Sequence, residues 1–152
     1  AIRLRAQGII NLQVGKTPPN FQIDKWDGGT LDLYATAKQN EYTLIMFWAS
    51  WCHKCEQEMP NIGPMYAKHG YKGFEVIGVS LDQVRATWEK AISDNGMTWP
   101  NVSQLQAWNS PVVGDYKVTA TPSYFLLDKD SKIVLKPKRY FEVDKFLNEN
   151  LK

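Results

Sequence analysis

Tyr42-Thr43-Leu44-Ile45-Met46-Phe47-Trp48-Ala49-Ser50-Trp51-Cys52-His53-Lys54-Cys55 runs from an apolar stretch directly into two cysteines, and its reading decides the fold. Residues 42–48 are apolar on both pleat faces, as a strand covered by helices on both sides requires, and this places them at the centre of a sheet. From Cys52 to His69 the apolar positions Cys55, Met59, Ile62 and Tyr66 recur at helical spacing, and Gly70 offers a C-terminal stop. This predicts one amphipathic helix, with a bend at Pro60, where a backbone donor is missing. His69, beside Lys68, reads as a cation at the helix C-terminus.

Working outward, Phe74 to Leu81 reads as a second buried strand, and Val84, Trp88, Ala91 and Ile92 mark a helix that fades at Asn95-Gly96. Strand-helix alternation of this kind favours parallel strands joined by right-handed crossovers, with chemistry at the carboxyl ends of the strands. Tyr124 to Leu127 and Lys132 to Leu135 form a terminal hairpin, and Val143, Phe146, Leu147 and Leu151 mark a last helix. Upstream, Phe21 to Ile23 and Thr30 to Leu33 flank Asp27-Gly28-Gly29, a hairpin signal. The expected fold is α/β: a central mixed sheet flanked by helices, ordered β-α-β-α-β-β-α after an N-terminal β-hairpin. Residues 1–14 alternate only loosely and end at Gly15-Lys16-Thr17-Pro18-Pro19, so they read as an N-terminal extension or the end of an upstream segment, with the domain spanning 15–152.

Composition narrows the function. At 152 residues, with 43% hydrophobic and 22% charged side chains, the chain fits one domain. Its formal charge of +2 gives no reason to expect nucleic acid or an anionic bilayer as partner. The basic run Lys136-Pro137-Lys138-Arg139 lacks interleaved aromatics and reads as a solvated, proline-blunted edge. No heptad or unexplained apolar stripe asks for a partner chain, so a monomer is expected.

The two cysteines of the chain both fall in Cys52-His53-Lys54-Cys55, a coincidence that random placement would produce about once in a hundred chains of this length. They sit where a buried strand turns into a helix, so Cys52 lies near free amide donors and the positive end of the helix dipole. With His53 and Lys54 adding positive charge, thiolate is favoured over thiol, which makes Cys52 the attacking sulfur and Cys55 the resolving one. Inert packing is a poor account of two thiols at such a turn. A zinc site lacks ligands, since His53 lies within the loop and His69 a helix length away. Neither a metal nor another bound cofactor is expected; the redox group is the Cys52–Cys55 pair itself.

Phe47-Trp48-Ala49-Ser50-Trp51-Cys52-His53-Lys54-Cys55 resembles the redox motif of the thioredoxin superfamily. More narrowly, the chain is similar to the TlpA/ResA-like thiol-disulfide oxidoreductases of the bacterial cell envelope, from about Val14 to Lys152, including a Gly-x-x-x-Pro-x-Phe stretch at Gly15 to Phe21. Thioredoxins proper carry a buried Asp where this chain has Met46. In the envelope branch a Glu three residues after the second cysteine does similar work, and the resemblance implies that Glu58 relays the proton Cys55 must lose; i and i+3 share a helix face. It also implies that Pro122, in Ala120-Thr121-Pro122-Ser123, follows a cis bond and lies against the cysteines. The Thr121 backbone is then free to pair with an extended substrate peptide. Trp51 is expected at the substrate rim, whereas Trp48 belongs to the core.

The resemblance implies an enzyme that reduces disulfides of envelope proteins, fed by an upstream electron donor, in the periplasm or cell envelope. The chain begins at Ala1 without an initiator Met or a signal-peptide pattern, so it reads as a processed piece whose membrane anchor, if it has one, precedes Ala1. Two alternatives stay open. A module delivering copper or apocytochrome thiols would use the same two sulfurs, although no Met or further His accompanies them in the motif. A peroxiredoxin-like peroxidase would want a Thr where this chain has Ala49.

Overall fold

Thr43 through Trp48 are all buried, so the strand they form, β3 (Tyr42–Trp48), leaves no face to water. The computed structural model describes residues 10–152 and puts β3 at the centre of a five-stranded sheet in the order β5-β4-β3-β6-β7. Its other strands are β4 (Phe74–Ser80), β5 (Asn101–Ser103), β6 (Ser123–Asp128) and β7 (Ile133–Leu135). β4 lies parallel to β3 with Leu44 opposite Val76, β5 parallel to β4, and β6 and β7 join antiparallel on the other side. A separate hairpin, β1 (Gln22–Asp24) with β2 (Thr30–Asp32), precedes the sheet and touches its β5 edge, where Trp26 N donates to Asn101 O at 3.1 Å. The mixed sheet and opening hairpin are those the sequence predicts.

The helices are α1 (Leu33–Lys38), α2 (His53–His69), α3 (Arg85–Asp94), α4 (Pro111–Asp115) and α5 (Tyr140–Asn150). α1, α4 and β5 add to the predicted order. Each is short: β5 has three residues, too few to show a period, and its burial comes from neighbours on both sides, since Gly78 N donates to Pro100 O.

α2 is unbroken through both Pro60 and Pro64. The carbonyls these prolines leave unpaired belong to Glu56 and Pro60, and Glu56, Pro60 and Pro64 are all exposed, so water can satisfy them. The helix ends at His69 with Gly70 as its C-cap, as expected, although the cap is not left-handed. Gly70 is right-handed (φ −57), the chain continues into a 3-10 turn at Gly70–Lys72, and the left-handed residue is Gly73 (φ 103), whose carbonyl accepts Glu41 N at 2.7 Å. His69 is the last residue of the helix, as expected, but it is 1% exposed, and its Nε2 lies 2.8 Å from Asp144 Oδ1, tying α2 to α5.

The basic run before α5 is likewise more than a solvated edge. Pro137 is buried, the Glu142 carboxylate accepts the backbone N–H groups of Lys138 and Arg139, and the Arg139 guanidinium turns back toward α2. Of the expected extension 1–14, residues 1–9 lie outside the described residues, while Leu12 is buried in the core. Gly15 N donates to Ile133 O at 2.7 Å and Ile133 N to Lys16 O at 2.9 Å, fastening the start of the domain to β7.

Candidate active site

Because β6 runs antiparallel to β3, with Ser123 opposite Phe47, the amino end of β6 lies beside the carboxyl end of β3. Two loops meet there, one carrying Ala49 to Cys52 and the other Ala120 to Pro122. Cys52 and Cys55 form a disulfide with Cα atoms 5.2 Å apart. Cys52 is the N-cap of α2: its backbone is extended (φ −94, ψ 111) and its Sγ accepts the Cys55 N–H at 3.2 Å. An amide donor and the positive helix end therefore both aim at Cys52 Sγ, an arrangement that favours negative charge on that sulfur. Cys52 keeps 7% of its surface exposed against 2% for Cys55, so an incoming sulfur meets Cys52 first.

The Thr121 carbonyl oxygen lies 3.5 Å from Cys52 Sγ, and the Thr121–Pro122 peptide is cis. Thr121, Pro122 and Ser123 are half-buried beside the sulfur. Trp51 is 54% exposed, and its ring meets that of Trp108 at 6.3 Å between centroids; Trp108, itself 45% exposed, sits on a 3-10 turn, Ala107–Asn109. His53 faces Glu56, with Nδ1 3.9 Å from Oε2, so part of the positive charge expected near Cys52 is offset at the surface.

Glu58 is 3% exposed, and both of its oxygens are hydrogen-bonded. Oε1 accepts Tyr124 Oη at 2.8 Å and Tyr140 N at 2.9 Å, and Oε2 accepts Arg139 Nε at 2.8 Å. Burial first, then the hydrogen bond to Glu58, pushes the Tyr124 phenol well above its ordinary value, so it remains a donor at any physiological pH. These hydrogen bonds hold the carboxylate one helical turn beyond Cys55 and connect α2, β6 and α5.

The structure thus brings Cys52, Cys55, Thr121, Pro122 and Trp51 to one surface, with Glu58 beneath it. It adds residues that the sequence did not single out. Asp82, 1% exposed just past β4, accepts Ser50 N at 3.2 Å and both the Ser50 and Ser80 hydroxyls, anchoring the loop that presents Cys52. The polar residues of Ser80-Leu81-Asp82 at the carboxyl end of an apolar strand were its only trace. Tyr124 and Arg139 have no sequence signal, because their roles depend on contacts 66 and 81 positions away.

A thioredoxin-type sheet with a cysteine pair capping the helix that leaves its central strand defines a thiol-disulfide oxidoreductase. The AhpC/TSA family matches residues 14–136, and the chain belongs to it. ResA, a thiol-disulfide oxidoreductase of Bacillus thuringiensis, is 30% identical over 123 residues, 81% of this chain and 68% of that protein. The thioredoxin domain of a thiol-disulfide oxidoreductase from Bacteroides vulgatus superposes with a TM-score of 0.84 at 26% identity, covering 93% of this chain and all of that one. A thiol-disulfide oxidoreductase from Bacteroides fragilis gives 0.81 at 27% identity, over 88% and 98% of the two chains. Among the described residues no group of three or more His, Cys, Asp or Glu side chains could hold a metal ion, and no helix is long and apolar enough to cross a membrane.

Proposed function

We propose that this chain reduces disulfides in proteins of the cell envelope. The observation that carries the reading is the Cys55 N–H directed at Cys52 Sγ at the helix start, which favours Cys52 as thiolate and hence as attacker. The Cys52 thiolate attacks one sulfur of a client disulfide, forms a mixed disulfide and expels the other client sulfur as a thiolate. Cys55 loses its proton and attacks Cys52 Sγ, closing the Cys52–Cys55 bridge and releasing the second client thiolate. Glu58 takes up that proton, and a separate dithiol donor returns two electrons to the bridge. The client lies extended against the Thr121 and Pro122 backbone, with Trp51 at its rim. The protein acts as a monomer, with no cofactor beyond its own sulfurs.

Expression of a Cys55→Ser variant in the native host tests this. Cys52 should accumulate client proteins as mixed disulfides that dithiothreitol releases and that disappear when Cys52 is also replaced. Absence of Cys52-dependent adducts, together with failure of the reduced wild-type protein to open insulin disulfides, would overturn the reading.

A further inference from the structure

Two cavities flank the cysteine site and share Pro122 and Lys138. One, of about 370 Å³, lies beside α2 and contains Lys54 and Arg139; the other, of about 610 Å³, opens along β6 and contains Lys117 and Lys136. The two therefore form one trough along the Pro122 edge. Its walls carry five cations, Lys54, Lys117, Lys136, Lys138 and Arg139, and a single carboxylate, Glu58, which is already paired with Arg139. The excess is local, because the whole chain has a formal charge of only +2.

The partners of these cations separate two groups. Lys117 Nζ is held by the Ile10 carbonyl and Arg139 by Glu58. Lys136 Nζ stands 5.7 Å from the centre of the Phe125 ring, and Lys54, Lys136 and Lys138 have no carboxylate within ion-pair distance among the described residues. Glu142, the acid nearest to Lys138 in sequence, spends its carboxylate on the backbone amides of Lys138 and Arg139.

The same trough follows an open backbone edge. Among the described residues β7 pairs with β6 only at Leu126 and Leu127, so Ser123 to Phe125, paired with β3 on one side, have no strand partner there on the other. An extended peptide fits such an edge, and three exposed ammonium groups beside it set the sign of the side chains it should carry. Ile10 lines this trough, and the nine residues that precede it in the sequence contain Arg3 and Arg5 and no acid, a charge that opposes the site.

We infer that this trough selects clients whose extended segment beside the disulfide is acidic, with Lys136 and Lys138 reading its carboxylates along the Ser123 to Phe125 edge and Lys54 reading them next to Cys52. The inference rests on the reading of the site as a disulfide reductase and names its substrate class.

The test uses the full chain, reduced with dithiothreitol and desalted, and two disulfide-bridged peptides of one sequence that differ only in three Glu or three Lys residues flanking a cysteine. The rate of peptide reduction is measured in about 20 mM and about 1 M salt, where the Debye length falls from roughly 20 Å to 3 Å. The wild-type protein should reduce the acidic peptide about tenfold faster at low salt, with the ratio collapsing toward one at high salt. Lys136→Gln/Lys138→Gln should cut the low-salt ratio to about two. Because the ratio is taken within each protein, a general change in thiol reactivity cancels. If the double variant does not fold, as judged by circular dichroism, Lys138→Gln alone and the wild-type salt dependence decide the matter.

A wild-type ratio near one at low salt, or a ratio unchanged in the folded variant, overturns the inference while leaving the reductase reading intact. Reduction of neither peptide nor uncharged 2-hydroxyethyl disulfide overturns both. An Arg3→Gln/Arg5→Gln variant that speeds both peptides equally would seat the chain's own amino end in the trough and also overturn it.

Discussion

Arg139 Nε donates to Glu58 Oε2 at 2.8 Å, joining a half-exposed guanidinium to a carboxylate that is almost wholly enclosed. The residue before the last helix thus closes over the turn that follows the cysteines, and Tyr124 and Tyr140 complete the enclosure from below. A buried carboxylate is tolerated only when its lone pairs are met, and here both oxygens are.

Tyr124→Phe should therefore cost about 1–2 kcal/mol, because it removes one donor from a carboxylate that has no water to replace it. A urea midpoint lowered without a change in slope checks the claim. Glu58→Gln should lower stability similarly and also flatten the pH dependence of the Cys55 resolution step, measured by release of a trapped mixed disulfide. An unchanged pH profile with the same loss of stability would make Glu58 purely structural.

Asp82 holds Ser50 and, through it, the approach of the chain to Cys52. Asp82→Ala should slow disulfide reduction about 10- to 100-fold, the effect of a displacement on the order of 1 Å at a reacting group. Asp82→Asn keeps an acceptor toward Ser50 and should recover most of the rate. Equal losses in the two variants would show that the negative charge, rather than placement of the loop, is what matters.

Acid should weaken the fold through Asp144 and Asp32. Burial alone would raise Asp144, but hydrogen bonds from His69 and Lys68 and their charge hold it below the ordinary value of 3.8. The N–H of Ala35, then Gln22, holds Asp32 below it as well, against a smaller opposing effect of burial. Groups depressed in the folded state contribute stability that is full above the unfolded value and disappears as pH falls through the folded one. Urea midpoints should be insensitive to these two groups above about pH 5 and decline below about pH 4. Asp144→Asn should lower the midpoint at pH 6 and make less difference at pH 3.

Gly78 sits in β4 where an added methyl would overlap Asn101 Oδ1 and stand 3.1 Å from Trp48 Nε1, both in buried side chains. Gly78→Ala should destabilise by about 1–3 kcal/mol through overpacking. Calorimetry of the variant checks it; an unchanged midpoint would mean that the Asn101 amide can turn aside.

Trp108→Ala should raise KM for a protein disulfide about five- to tenfold with a smaller change in kcat, as loss of an aromatic contact at a docking rim would. A change confined to kcat would place the ring's influence on Cys52 instead.

What could be read in advance followed the length of each element. β3 and α2 carry enough consecutive buried positions to show their period, and the cysteine pair at their junction marked both the fold and the class of chemistry. Gly70 was legible as the helix stop, but the 3-10 turn after it was not, because composition cannot tell which of two nearby glycines turns left-handed; the backbone chooses Gly73, where the Glu41 side chain crowds any Cβ. His69 looked like a plain helix-end cation and Arg139 like a surface one for a similar reason. Their partners, Asp144 and Glu58, lie 75 and 81 positions away, and only the sheet brings them together. Asp82 and Trp108 were missed because each acts through one tertiary neighbour with no spacing rule attached.

The antiparallel pairing of β6 with β3 has a mechanical consequence. The same ladder braces the segment leading to Cys52 and the turn at Thr121 and Pro122, so neither can shift without shearing hydrogen bonds in the middle of the molecule. In the proposed exchange the angle of collision between two sulfurs is set by this shared frame, whereas the cationic fringe at residues 136–139 hangs beyond it. Taste in guests can accordingly drift by surface substitution while the trajectory of bond exchange stays fixed.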